Sequence, residues 1–187
     1  NGIHVNSLGS PIGKYKITEP FDKHLVDFHR AIDICKILGT DKMRMFSFFT
    51  EQSELAKYRD EVICRLTAMT SIAKEHRITL CHENESDIYG QNPKEMLDLM
   101  TNVPGLAGIF DASNYRMNNC DVMEGIKATL VNLAYLHIKD AIYSSAKWAP
   151  TAPSAVAVTI WRSAFVRTSP TAYTPGRLVS VDSPAMI

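Results

Sequence analysis

Glu83, Asp111 and His137 each close a short apolar run, ending Leu-Cys-His-Glu, Gly-Ile-Phe-Asp and Ala-Tyr-Leu-His, and they lie 28 and 26 residues apart. Two carboxylates and an imidazole are the donor types that hold Mn²⁺, Mg²⁺, Co²⁺ or Zn²⁺. A step of roughly 30 residues is one strand-plus-helix unit. Equivalent positions on adjacent parallel strands would therefore bring all three side chains to one rim. Acids and histidines at strand ends also serve as helix caps and loop polar groups, and position alone does not separate the two uses. Two neighbours are ambiguous in the same way. Arg44 either binds a substrate phosphate or hydroxyl or pairs with a nearby carboxylate, and Asp140 either orients His137 or binds substrate.

The elements that must position these groups alternate. Ile3 to Leu8 reads as a strand and Gly9 to Lys14 as a loop, punctuated by two glycines and a proline. Leu25, Phe28, Ile32, Cys35 and Leu38 step by threes and fours, predicting a helix over 21–38 that Gly39 stops. A strand follows over 42–49, a helix over 51–76 and a strand over 77–83. Asn92-Pro-Lys-Glu95 carries a start signature for a helix to about Asn102, with Glu95 expected to answer the free amide of the cap. A strand over 106–110, a helix opened by Asp121 and a strand over 133–138 complete five strands and four helices. Strict alternation implies parallel strands covered by helices: an open doubly wound sheet or part of an eight-stranded barrel.

Other residues have plainer roles. His82 precedes Glu83 and points to the opposite side of its strand, where it packs against a helix. Met43, Met45, Met96 and Met100 read as core, and the four cysteines as buried free thiols, since no CxxC pair or disulfide frame is present. Lys14 lacks the flanking pattern of a phosphate-binding loop.

Five runs in order, Gly9-Ser-Pro-Ile-Gly-Lys14, Met43-Arg-Met-Phe-Ser-Phe48, Leu80-Cys-His-Glu-Asn-Glu85 with Ile88-Tyr-Gly90, Ile109-Phe-Asp-Ala-Ser-Asn114 and Leu136-His-Ile-Lys-Asp140, resemble the xylose isomerase-like TIM-barrel superfamily, in its sugar phosphate isomerase/epimerase branch. The similarity spans about residues 2–143. It implies an α/β fold, a partial (β/α)₈ barrel, with Glu83, Asp111 and His137 as the first three ligands of a divalent metal and Glu83 as the proton-moving carboxylate. It implies a sugar or sugar phosphate substrate, with an enediolate stabilised while a proton moves beside the carbonyl. Many members carry a further histidine where this sequence has Asn114, and the family's closing glutamate has no match after Asp140. The partial barrel is accordingly expected to be weakly active or inactive on its own. An apurinic-endonuclease-like metal hydrolase and a non-catalytic flavodoxin-like module are the competing readings.

Composition bounds the rest. The formal charge is zero over 20 basic and 20 acidic residues, which removes the electrostatic argument for nucleic acid as a partner. No apolar run reaches the length of a membrane span, and a cytoplasmic protein is expected. Homo-oligomerisation is left open by the exposed edges of a partial sheet. Residues 1–140 carry 16 basic and 19 acidic residues, whereas 141–187 carry four basic residues and Asp182 alone, and 26 of those 47 residues are Ala, Ser, Thr or Pro. The expectation is a barrel portion over 1–143 and an irregular tail over 144–187, either a shifted or spliced reading frame or a natural disordered extension.

Overall fold

The computed structural model describes residue 2, residues 4–139 and the strand backbone of 141–144 and 147–150; Asp140 and residues 151–187 lie outside the described residues, and most of the expected tail lies there too. Strands β1 (Leu8–Gly9), β2 (Lys42–Met45), β3 (Thr79–Glu83), β4 (Ala107–Asp111) and β5 (Leu133–His137) pair in parallel and in sequence order. Between them run α1 (Phe21–Leu38), α2 (Arg59–Glu75), α3 (Pro93–Asn102) and the pair α4 (Ala112–Met117) and α5 (Val122–Thr129). The architecture is a half-barrel with four long helices, the one of the two arrangements allowed by the alternation that the resemblance implies. An antiparallel pair, β6 (Ala141–Ser144) and β7 (Lys147–Pro150), follows.

Strand alternation divides the side chains between two layers. Met43, Met45 and Leu80 point outward and are buried with Phe28, Ile32 and Cys35 of α1, Val62, Leu66 and Met69 of α2 and Met96 and Leu99 of α3. The opposite parity points inward. Cys81, Ala107, Ile109 and Tyr135 form a small separate cluster inside the curve, and Arg44, Glu83, Asp111 and His137 crown it at the carboxyl ends of their strands. The sheet curves enough for Ser7 Oγ, just before β1, to lie 3.1 Å from the Tyr135 hydroxyl on β5.

Local chemistry explains the element ends and the departures from expectation. Gly39 closes α1 in the left-handed conformation (φ 68°), its N–H bonding to Lys36 O. Asn92 caps α3 by accepting from Glu95 N–H, but Glu95 Oε2 accepts from Gly90 N–H rather than from the cap residue. The helix expected over 51–76 begins only at Arg59, after a short 3₁₀ turn at Gln52–Glu54. The first strand contributes only Leu8–Gly9, pairing with Met43 and Arg44, and it ends where Ser10 N–H turns back to Leu8 O. Helix α4 was not foreseen. Its signal is hidden because Asp111 is at once the last residue of β4 and the cap whose side chain accepts from Asn114 N–H. Of the four free cysteines, Cys35 and Cys81 are buried, but Cys64 is exposed, two positions from Val62 and Leu66 and off their stripe.

Two buried histidines make stability depend on pH. His82 sits on the helix side of β3 as expected, with Nε2 2.8 Å from Ser47 Oγ, and His24 Nε2 accepts from Gly13 N–H at 2.9 Å. Burial lowers both from 6.5 to about 4, helped at His24 by the Arg65 charge. Their folded pKa values lie below the unfolded value. The stability they contribute is therefore complete above pH 6.5 and is lost as pH falls towards 4. The shift at His82, from 6.5 to about 4, corresponds to about 3 kcal/mol. Urea midpoints at pH 7 and 4.5 should differ markedly, and His82→Gln should reduce that difference; an undiminished difference in the variant would assign the loss to carboxylates instead.

Candidate metal centre

Three consecutive strands present one donor each. Glu83 ends β3, Asp111 ends β4 and His137 ends β5, with Asp111 and His137 in direct register across the β4–β5 pair. One ligand atom from each lies within 4.8 Å of the others, and both carboxylates are buried. They open onto a cavity of about 400 Å³ that Arg44, Tyr135 and Lys139 also line. The structure thus brings together Glu83, Asp111, His137 and Arg44.

His137 Nδ1 is 2.8 Å from Glu83 Oε1, and Arg44 Nη1 donates to Glu83 Oε2 at 3.2 Å, so Arg44 makes the carboxylate pairing that was one of its two readings. Burial pushes the Glu83 carboxyl upward, but the His137 hydrogen bond and the charges of His137, Arg44 and Lys139 outweigh it and hold the group below its ordinary value. At Asp111 burial wins. Its carboxyl is raised although the Asn114 backbone N–H and the Lys139 charge pull the other way.

Asp111 divides its oxygens between two tasks. Oδ1 accepts from Asn114 N–H at 2.9 Å and caps α4. Oδ2 is buried, has no hydrogen-bond partner among the described residues, and is ion-paired with the Lys139 ammonium 3.1 Å away. The Asn84 amide clamps the strand end from behind, accepting from Asp111 N–H at 2.9 Å and donating to Asp111 O at 3.0 Å. Asn114 is engaged at both ends of its amide, accepting from Lys139 at 2.6 Å and donating to Asn84 O at 2.6 Å. Sequence reasoning did not single out Lys139 or Asn84. For Lys139 the signal was present in parity, since it lies two residues past His137 on an extended chain; Asn84, directly after Glu83, carried no such signal.

The donor set suits a divalent cation. One ligand atom from each of Glu83, Asp111 and His137 lies within 4.8 Å of the others, and carboxylate and imidazole are the donor types such ions take. The buried Asp111 Oδ2, which lacks a hydrogen bond and is paired with the Lys139 ammonium, would supply the third donor. Asp140 lies outside the described residues.

The profile of the xylose isomerase-like TIM barrel family matches residues 1–152. No curated protein sequence matches the chain. Among solved structures, the probable 3-DHS dehydratase AsbF of Bacillus anthracis superimposes with a TM-score of 0.67 at 16% identity, over 76% of this chain and 52% of its own. A xylose isomerase-like TIM barrel protein from Mycobacterium smegmatis, in complex with magnesium, gives 0.61 at 19% identity over 80% and 57%. D-Psicose 3-epimerase from Clostridium cellulolyticum H10, solved with D-tagatose, gives 0.60 at 11% over 74% and 53%. The chain spans a little over half the length of these three structures. Parallel strands in sequence order, a donor cluster at their carboxyl ends and a profile match over most of the sequence agree on one conclusion: the chain belongs to the xylose isomerase-like TIM barrel family.

Proposed function

We propose that the protein of which this chain forms part of the barrel is a sugar or sugar phosphate isomerase or epimerase dependent on a divalent metal held by Glu83, Asp111 and His137. The observation that carries the reading is the convergence of those donors within 4.8 Å at the ends of three adjacent strands. The epimerase solved with D-tagatose and the magnesium complex among the similar structures support it in kind. Residues 1–143 form the barrel portion in this reading. No described helix is long and apolar enough to cross a membrane.

Each residue has a role that its surroundings suit. A divalent ion at this position supplies Lewis-acid polarisation of a substrate carbonyl and stabilises the charge that develops when the adjacent carbon loses a proton. Glu83, held ionised by its basic neighbours, takes that proton. Arg44 anchors a substrate oxygen from the β2 side, where its guanidinium also braces Glu83. Asp140 is assigned to substrate binding by sequence position only.

The test uses the 187-residue chain with Mn²⁺ as probe. Isothermal titration should show saturable binding of one ion, and NMR in D₂O should show Mn²⁺-dependent deuterium uptake beside the carbonyl of D-tagatose or D-fructose 6-phosphate, slowly in a half-barrel. Absence of saturable Mn²⁺ binding would sink the metal centre. Because the partial barrel is expected to be weakly active or inactive on its own, the isomerase reading itself is decided on the full-length protein, in which Mn²⁺ binding without exchange in any ketose or ketose phosphate would sink it.

A further inference from the structure

We propose that the Lys139 ammonium is the resident counter-cation of Asp111 and is exchanged for the divalent ion on loading, so that Lys139 sets how tightly the centre holds metal. The inference rests on the metal-centre reading and adds a regulating residue to it. Asp111 is fully buried, and one of its oxygens is committed to the α4 cap. The other, Oδ2, is the oxygen open to an ion, and it is also the one the ammonium faces at 3.1 Å. A buried carboxylate needs a compensating charge. In the metal-free protein Lys139 provides it, as Arg44 does for Glu83 at 3.2 Å.

The ammonium also has somewhere to stay. Lys139 Nζ donates to Asn114 Oδ1 at 2.6 Å, an uncharged acceptor that it retains when Oδ2 turns to the ion. Asn114 is itself fixed, its amide donating to Asn84 O and its backbone N–H bonded to Asp111. Lys139 is one-quarter exposed, so the displaced charge reaches solvent without opening the core. A divalent ion at Oδ2 and an ammonium beside it repel each other. Removing the ammonium should therefore raise metal affinity on the order of tenfold.

The experiment compares Lys139→Met, Lys139→Gln and Lys139→Arg with the parent chain, measuring Mn²⁺ affinity by titration and the metal-free melting temperature. Exchange makes the two readouts move in opposite directions. The Met and Gln variants should melt lower without metal yet bind Mn²⁺ about tenfold more tightly, with Arg close to the parent in both. If Lys139 merely holds Asp111 in place, the uncharged variants lose stability and affinity together, and equal or weaker Mn²⁺ binding in them overturns the exchange. Gln keeps a polar contact for Asn114 and remains a usable variant if Met does not fold. Binding in the parent with no gain in the uncharged variants overturns the exchange alone, whereas a parent chain that takes up no Mn²⁺ overturns the metal centre and the exchange with it.

Discussion

Gly13→Ala is expected to cost about 4 kcal/mol of folding stability, combining about 1–3 kcal/mol for a left-handed alanine with about 1 kcal/mol for each backbone hydrogen bond displaced. Gly13 has φ 86°, and a Cβ there would stand 1.9 Å from Phe46 O, a backbone atom that cannot rotate away. The same close approach is held by Phe46 N–H to Ile12 O at 2.8 Å and Phe48 N–H to Gly13 O at 2.9 Å, with Gly13 N–H donating to His24. Forcing the loop off therefore loosens the segment that follows β2 and Arg44. Gly39→Ala is the matched control. It shares a positive φ of 68° but has nothing within 4 Å of the added carbon, so it should cost only about 1 kcal/mol. Urea unfolding of both variants measures the difference, and equal losses would show that backbone conformation, rather than the contact with Phe46, restrains the loop.

Glu83→Gln, Asp111→Asn and His137→Ala should each weaken Mn²⁺ binding by at least about a hundredfold, close to 3 kcal/mol, since loss of a supporting neighbour alone costs 10–100-fold at metal sites. The two amide substitutions keep shape and remove one charge each. At Asp111 the amide still offers an oxygen to cap α4, so the helix should persist in circular dichroism while the ion is lost. At Glu83 the variant also frees Arg44 from its carboxylate partner. Titration calorimetry decides the matter: affinity within a few-fold of the parent in all three variants would place the cation elsewhere on the molecule.

The sequence by itself determined the periodic parts of this protein. Helix α1 has the bounds its apolar stripe and Gly39 imply, α3 runs from the Pro93 start to Asn102, and alternation along β2 and β3 separates Met43, Met45 and Leu80 from Arg44 and Glu83. Those are local signals, set by residue type and spacing. Strand-end position also nominated Glu83, Asp111 and His137, because parallel order repeats one geometry in every unit.

Tertiary structure decided what depends on which oxygen faces which neighbour. Spacing could not say that Arg44 braces Glu83, that Lys139 takes the free oxygen of Asp111, or that Glu95 turns from its own cap to Gly90. It also could not reveal α4, whose cap is spent on a residue already counted as strand end. Each of these is a contest among several possible partners for one polar atom, won across neighbouring strands at Arg44 and Lys139 and within one turn at Glu95 and Asp111, and pairwise distance in space is the one quantity a linear pattern does not carry.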